Sequence, residues 1–200
     1  MTATTPSRKE LTHERILETA AREIRRVGYG GIGVADLMKQ AGLTHGGFYA
    51  HFSSRDAMLA EAIEWAGRDS ERRLTSRLSK AEQHGSAPFV ALVESYLSPA
   101  HLAAPEAGCP VAALASEMPR QSAELLEAGR RRVQALMTRV QQVLPTADAD
   151  EARVIVSSLV GALQLARALG DNADGHALLT ANRQAMLARY GQKTWSALSP

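Results

Sequence analysis

AGLTHGGFYAHFSSRDAMLAEAI, residues 41–63, carries more structural instruction than any other part of this 200-residue chain. Just upstream, Val34, Leu37, Met38 and Ala41 fall at i, i+3, i+4 and i+7, one apolar helical face. Gly42 stands where a helix ends in a left-handed residue, and Leu43 can fold back onto the helix just finished. Thr44 is a good N-cap for the next helix. The segment His45 to Phe52 has room for two turns at most, with Phe48 and Phe52 stacked at i, i+4. Ser53 and Ser54 then cap a longer helix, expected from near Arg55 to about Glu82 through Met58, Leu59, Ile63, Leu74 and Leu78. A helix, a tight glycine-containing turn and a short second helix make a helix-turn-helix.

The second helix contains Gly46 and Gly47, each costing about 1 kcal/mol of helix propensity. A buried packing helix has no use for them, whereas a backbone that a bulky partner must approach does. The outward positions are Thr44, His45, Tyr49 and His51, all able to hydrogen-bond to phosphates or base edges, and none acidic. Each has a plainer reading beside this one. Thr44 serves as a cap in any case, Tyr49 fits a half-buried core position, and the histidines fit an idle surface.

Outward from this stretch the chain reads as helix throughout. Ser7 and Glu10 have capping-box spacing, with Thr12 as a rival N-cap. Leu11, Ile16, Leu17, Ala20, Ile24 and Val27 form a stripe that Gly28-Tyr29-Gly30-Gly31 ends. Downstream, Pro and Gly punctuation leaves helices near 88–101, 109–118, 121–143, 150–169 and 174–190. Period-2 runs are missing and aromatics are only 4%, so strands are not expected. The fold class is all-α with about nine helices. Residues 1–54 make the helix-turn-helix unit, 55–191 a second helical unit, and 192–200, with Trp195, a loose tail.

Composition narrows the function classes. Apolar residues at 45% and charged residues at 22% are those of an ordinary folded chain. The longest uncharged apolar stretch, Val154 to Ala166, is shorter than the ~20 residues of a membrane span. The polar start MTATTPSRKE lacks a secretory core, and one cysteine, Cys109, forms no internal disulfide, so a reducing cytoplasm is expected. The net charge of +2 is uneven: residues 1–55 hold eight Lys/Arg against five Asp/Glu, and the remainder fifteen against sixteen. A basic end on a neutral body fits nucleic acid. No HExxH pattern, Cys/His cluster or strand-borne phosphate loop is present, so neither metal nor cofactor is expected. His84, His101 and His176 stand isolated and read as surface residues, and Arg130-Arg131-Arg132 as a solvated face. Two functions fit: a ligand-responsive DNA-binding regulator without catalysis, or a small helical enzyme or binding protein with an incidental basic end.

Residues 41–63, through Gly42, Thr44, Gly47, Phe48, Tyr49, Phe52 and Arg55, resemble the DNA-binding signature of the TetR family of bacterial regulators. So does ERILETAAREIRRVGYGGIGVADLMKQ, residues 14–40. The sequence departs from the family where Ile32 and Gly33 replace the usual hydroxyl residues, and where Arg55 replaces the common lysine. The resemblance implies a repressor released from a palindromic operator by a small molecule. Thr44, His45, Gly46 and Tyr49 would meet DNA in the major groove, with His51 and Arg55 on the backbone. It implies a homodimer through the last two long helices. Val154, Ile155, Leu159, Leu163 and Leu169 line one of these, with Ser157, Ser158, Gly161 and Ala162 allowing close approach. Leu178, Leu179, Met186 and Leu187 line the other. It also implies a ligand pocket among the middle helices, with Trp65, Phe89, Val93, Tyr96, Cys109, Leu114, Met118 and Met137 as candidates, and Leu97, Leu136 and Leu163 beside them. Trp65 and Tyr96 are large with a polar tip. Cys109 has two roles open: a thiol sensor at a helix start, or a small buried apolar residue.

Overall fold

Ser7 starts the first helix: its hydroxyl accepts the Glu10 N–H while the Glu10 carboxylate accepts the Ser7 N–H at 2.6 Å, a complete capping box. Thr12, the rival cap, instead donates to the Arg8 carbonyl inside the helix. The computed structural model describes residues 6–191, so the expected tail with Trp195 lies outside the described residues. Helix α1 is Arg8–Val27, ended by Gly28 at φ +75°. Helix α2 is Val34–Gln40, and its N-cap Gly33 makes no side-chain cap, as expected where a hydroxyl is missing. Gly42 adopts φ +69°, Leu43 N–H donates to the Met38 carbonyl at 2.8 Å and Gly42 N–H to the Lys39 carbonyl at 3.0 Å. Those two bonds are a Schellman motif, and they fix the turn between the helices.

The second helix of the motif is not α. His45–Ala50 is a six-residue 3₁₀ turn, and Thr44, though extended at the N-cap position, makes no capping hydrogen bond. Two glycines and an uncapped start leave too little propensity for a regular α-helix. Helix α3, Arg55–Gln83, runs 29 residues from a cap in which Ser54 Oγ accepts the Ala57 N–H. Then come α4 (Pro88–Tyr96), α5 (Pro99–Ala103), α6 (Pro110–Leu114), α7 (Ala123–Val143), α8 (Ala149–Leu169) and α9 (Ala173–Tyr190). The single helix expected over 88–101 is broken at Leu97. Pro99 cannot continue a helix through its own N–H, and Ser98 recaps the chain by accepting from His101 N–H. The helix expected over 109–118 is shortened to one turn before the chain tightens at Met118–Arg120. Among the described residues there is no strand.

Two cores form along α3. The first gathers Ile16, Leu17, Ile24, Leu37, Met38, Phe48, Phe52, Met58 and Ile63, and recruits Leu114, Met118, Leu125 and Ala128 from beyond α3. The second joins Leu78 to α4 and to the inner faces of α7, α8 and α9. Helix α8 is long and apolar enough to cross a membrane by length and composition, which the shorter stretch 154–166 does not suggest. In the structure Ile155, Val156, Leu159, Leu163 and Ala166 of its inner face are core residues, and α8 packs on α7 and α9.

Candidate functional site

Phe48 and Phe52 anchor the 3₁₀ segment. Both are buried, with ring centroids 5.5 Å apart. Around that platform Thr44, His45, Gly46 and Tyr49 face outward. Tyr49 is 70% exposed, its ring edge-on to Phe48 at 5.2 Å, and that exposure removes the core alternative for it. Neither Gly46 nor Gly47 has a positive φ. A Cβ on Gly46 would meet nothing within 4 Å, and one on Gly47 only ordinary contacts at 3.8 Å. Nothing inside the fold therefore requires these glycines.

His51 and Arg55 are held differently from the outward residues. His51 is half-buried, its ring 5.9 Å from His13, which stacks on Phe52 at 4.6 Å and reaches Glu61 at 3.0 Å. Burial, and then the charges of His13 and Lys9, hold the His51 pKa below its ordinary value. Arg55 reaches back into the α1–α2 loop. Its Nε donates to the Ile32 carbonyl at 3.1 Å and a terminal nitrogen to the Tyr29 carbonyl. The side chain expected to grip phosphate is thus a clamp on residues 28–33, leaving one terminal nitrogen, 3.8 Å from Asp56.

A cavity of about 160 Å³ lies between α3, α4, α5, the Ala104–Val111 stretch and α7. Of the eight expected ligand residues, Tyr96 and Cys109 line it, together with Leu136. The other six do not. Trp65 is half-buried against the first core under Arg72, Leu114 and Met118 belong to that core, and Phe89 and Val93 fill the second, with Met137 packed against it. The wall also holds residues not expected there: Arg73, Arg77, His101, Arg132 and Arg139. Arg132 turns inward at 17% side-chain exposure while Arg130 and Arg131 stay outside, so only part of the arginine run is a solvated face. It lies across Gly67, where any Cβ would overlap its guanidinium. The sequence does display the register: Arg132, Ala135, Leu136 and Arg139 keep i, i+3, i+4, i+7 spacing, as do Gly67, Ser70, Glu71 and Leu74 on α3.

His101 is not a surface residue. Its Nδ1–H donates to the Tyr96 carbonyl at 2.8 Å, and its Nε2 accepts the Cys109 N–H at 3.0 Å. A carbonyl only accepts and a peptide N–H only donates, so this ring is neutral with its proton on Nδ1. Burial first, then the Arg167 and Arg77 charges, lower its pKa to about 4 against the opposing pull of the Tyr96 carbonyl. Cys109 is buried at the start of α6, 6% exposed. The Tyr96 hydroxyl is buried beside the Cys109 thiol, and burial first, then Cys109, raise its pKa well above the ordinary value.

Two polar bolts join the helix-turn-helix to the rest of the chain, the first of them at the cavity wall. Arg25 of α1 is 5% exposed; it donates to the Gly108 carbonyl at 2.9 Å and lies 3.9 Å from Asp69 of α3. Glu117 accepts the Tyr29 N–H at 3.0 Å and sits over Gly28 so closely that any Cβ there would overlap its carboxylate.

Residues 16–62 match the family described as bacterial regulatory proteins, tetR family. No curated protein matches the chain in sequence. Solved structures of the same fold include a TetR-family transcriptional regulator from Cytophaga hutchinsonii, 18% identical, with TM-score 0.76 over 96% of this chain and 100% of that one. A TetR-family regulator from Agrobacterium tumefaciens is 23% identical, with TM-score 0.73 over 91% and 98%. The reduced form of E. coli NemR is 20% identical, with TM-score 0.72 over 88% and 96%.

Proposed function

We propose that the chain, whose residues 16–62 match the bacterial regulatory proteins of the tetR family, is a transcriptional regulator of that family and a ligand-released repressor. Residues 1–54 read the operator, and 55–191 bind the effector and dimerise. The carrying observation is the exposed set Thr44, His45, Gly46 and Tyr49 raised on the buried Phe48–Phe52 platform. These residues contact base edges and phosphates in the major groove, with Tyr49 the most exposed. Arg55 acts by holding the loop behind them, and His51 by packing under the segment.

One such segment covers few base pairs, so two act together on a palindrome in a homodimer. Val154, Ser158, Gly161, Leu165 and Leu169 make one outward stripe on α8, with Val154 53%, Leu165 60% and Leu169 50% exposed. Ile155, Leu159, Ala162 and Leu163 are core of the single chain and leave the interface to that stripe. A ligand in the cavity moves the Gly108 wall and, through Arg25, helix α1. This changes the separation of the two recognition segments and lowers DNA affinity. The protein works in the cytoplasm, without catalysis.

The test is a duplex selected from a random pool by the protein itself, with affinity then read by fluorescence anisotropy. Binding should weaken steeply with salt, and Tyr49→Ala, still folded by circular dichroism, should weaken it by about 1–3 kcal/mol. Unchanged affinity in Tyr49→Ala would sink the assignment of the recognition surface.

A further inference from the structure

The wall of the cavity is unbalanced in charge and in hydrogen bonding. It contains four arginines and a single acid, the exposed Glu71. Two of the arginines are matched: Arg73 pairs with Asp69 at 3.1 Å and Arg132 with Glu64 at 2.8 Å. The other two are not. Arg77 donates to the Ser95 hydroxyl at 2.9 Å and Arg139 to the Thr75 hydroxyl at 3.2 Å, and among the described residues neither meets a carboxylate.

Among the described residues the buried wall nitrogens that lack a partner are Arg132 Nε and Arg139 Nε, while the Tyr96 hydroxyl lies against the Cys109 thiol. Both arginine nitrogens can only donate, and burial together with the neighbouring Cys109 keeps the Tyr96 phenol protonated. His101 offers nothing in return, since both its ring nitrogens are engaged. Between these donors the lining is apolar, with Leu74, Val111 and Leu136. Unmet donors and uncompensated guanidiniums favour an anion, and the apolar remainder favours a hydrocarbon body behind it.

We infer that the effector is a small organic carboxylate on an apolar body, and that Arg77 and Arg139 hold its charge. This rests on the cavity being the effector site, and the experiment separates the two claims. Calorimetry on the full chain compares phenylacetate with 2-phenylethanol and phenethylamine, and octanoate with octanol and octylamine. The carboxylates should bind about tenfold or more tighter than their alcohols, with the amines weakest. Arg77→Gln combined with Arg139→Gln should erase the difference in a protein still helical by circular dichroism. Should that variant misfold, Arg77→Gln alone, at an exposed side chain, should cut carboxylate affinity about threefold and leave the alcohols unchanged. The inference is overturned if no carboxylate binds at millimolar concentration, if acid and alcohol bind equally, if the amine is preferred, or if the folded variants keep the preference. Carboxylate binding that leaves DNA affinity intact upholds the anion site and removes its role as effector site.

Discussion

Two side chains carry consequences that their positions alone do not announce. Arg55 lies at the start of α3, where a basic residue invites a phosphate. Its bonds to the Ile32 and Tyr29 carbonyls make it a strut of the turn as well. Arg55→Ala should therefore lower the stability of the DNA-free protein by about 1–2 kcal/mol, read by urea unfolding. A pure phosphate contact would leave that stability unchanged. His101 gives a pH dependence. Above its unfolded pKa, near 6.5, both states hold a neutral ring and stability is complete. Between there and about 4 the unfolded chain takes up a proton that the folded chain refuses, so stability falls as pH falls. From pH 7 to pH 5 this residue should contribute about 2 kcal/mol of the loss. His101→Gln should shed that part of the slope in unfolding titrations at the two pH values.

At the scale of elements, local chemistry is legible in the sequence and depth is not. The capping box at Ser7 and the Schellman turn at Gly42 involve residues within five positions of each other, so the sequence displays them whole. The tight 3₁₀ geometry of His45–Ala50 depends on a weak start and two glycines, which period alone reads as an ordinary helix. Trp65 reads as a pocket residue because it is large with a polar tip, yet its place on α3 faces the first core. Arg132 reads as solvated because charge usually is, and only the packing of α7 on α3 turns it inward. The same limit applies to α8, whose apolar residues divide between a buried face and an outward stripe. If that stripe closes the dimer, Leu165→Glu should shift the protein to monomer in sedimentation equilibrium at micromolar concentration, with helicity retained. A wild type already monomeric there would contradict the assembly.

Across the whole molecule, the first core does not stop at the end of the helix-turn-helix. It continues through Ala66 on α3 and takes in Leu114, Met118, Leu125 and Ala128. Arg25 adds a buried polar link from α1 to the cavity wall. Arg25→Met should keep the apolar bulk and remove that link. The expected loss is about 2 kcal/mol, some 4–8 °C in Tm for a chain of this size. Phenylacetate and octanoate should then bind the variant without changing its DNA affinity. A variant that keeps the full ligand response would show that the signal takes another route.

The seat of Glu117 over Gly28 bears on how such a chain can be recombined. Gly28 is needed twice, for its positive φ and for the bare space that the carboxylate fills. Glu117 in turn closes the N–H of Tyr29, a group 88 positions away in sequence. A chimaera that exchanges the first 54 residues with those of a relative carries one half of this joint and leaves the other behind. Hybrid regulators cut at that point should inherit a mismatched hinge, whereas grafts that transfer residues 108–117 together with the head should keep their response.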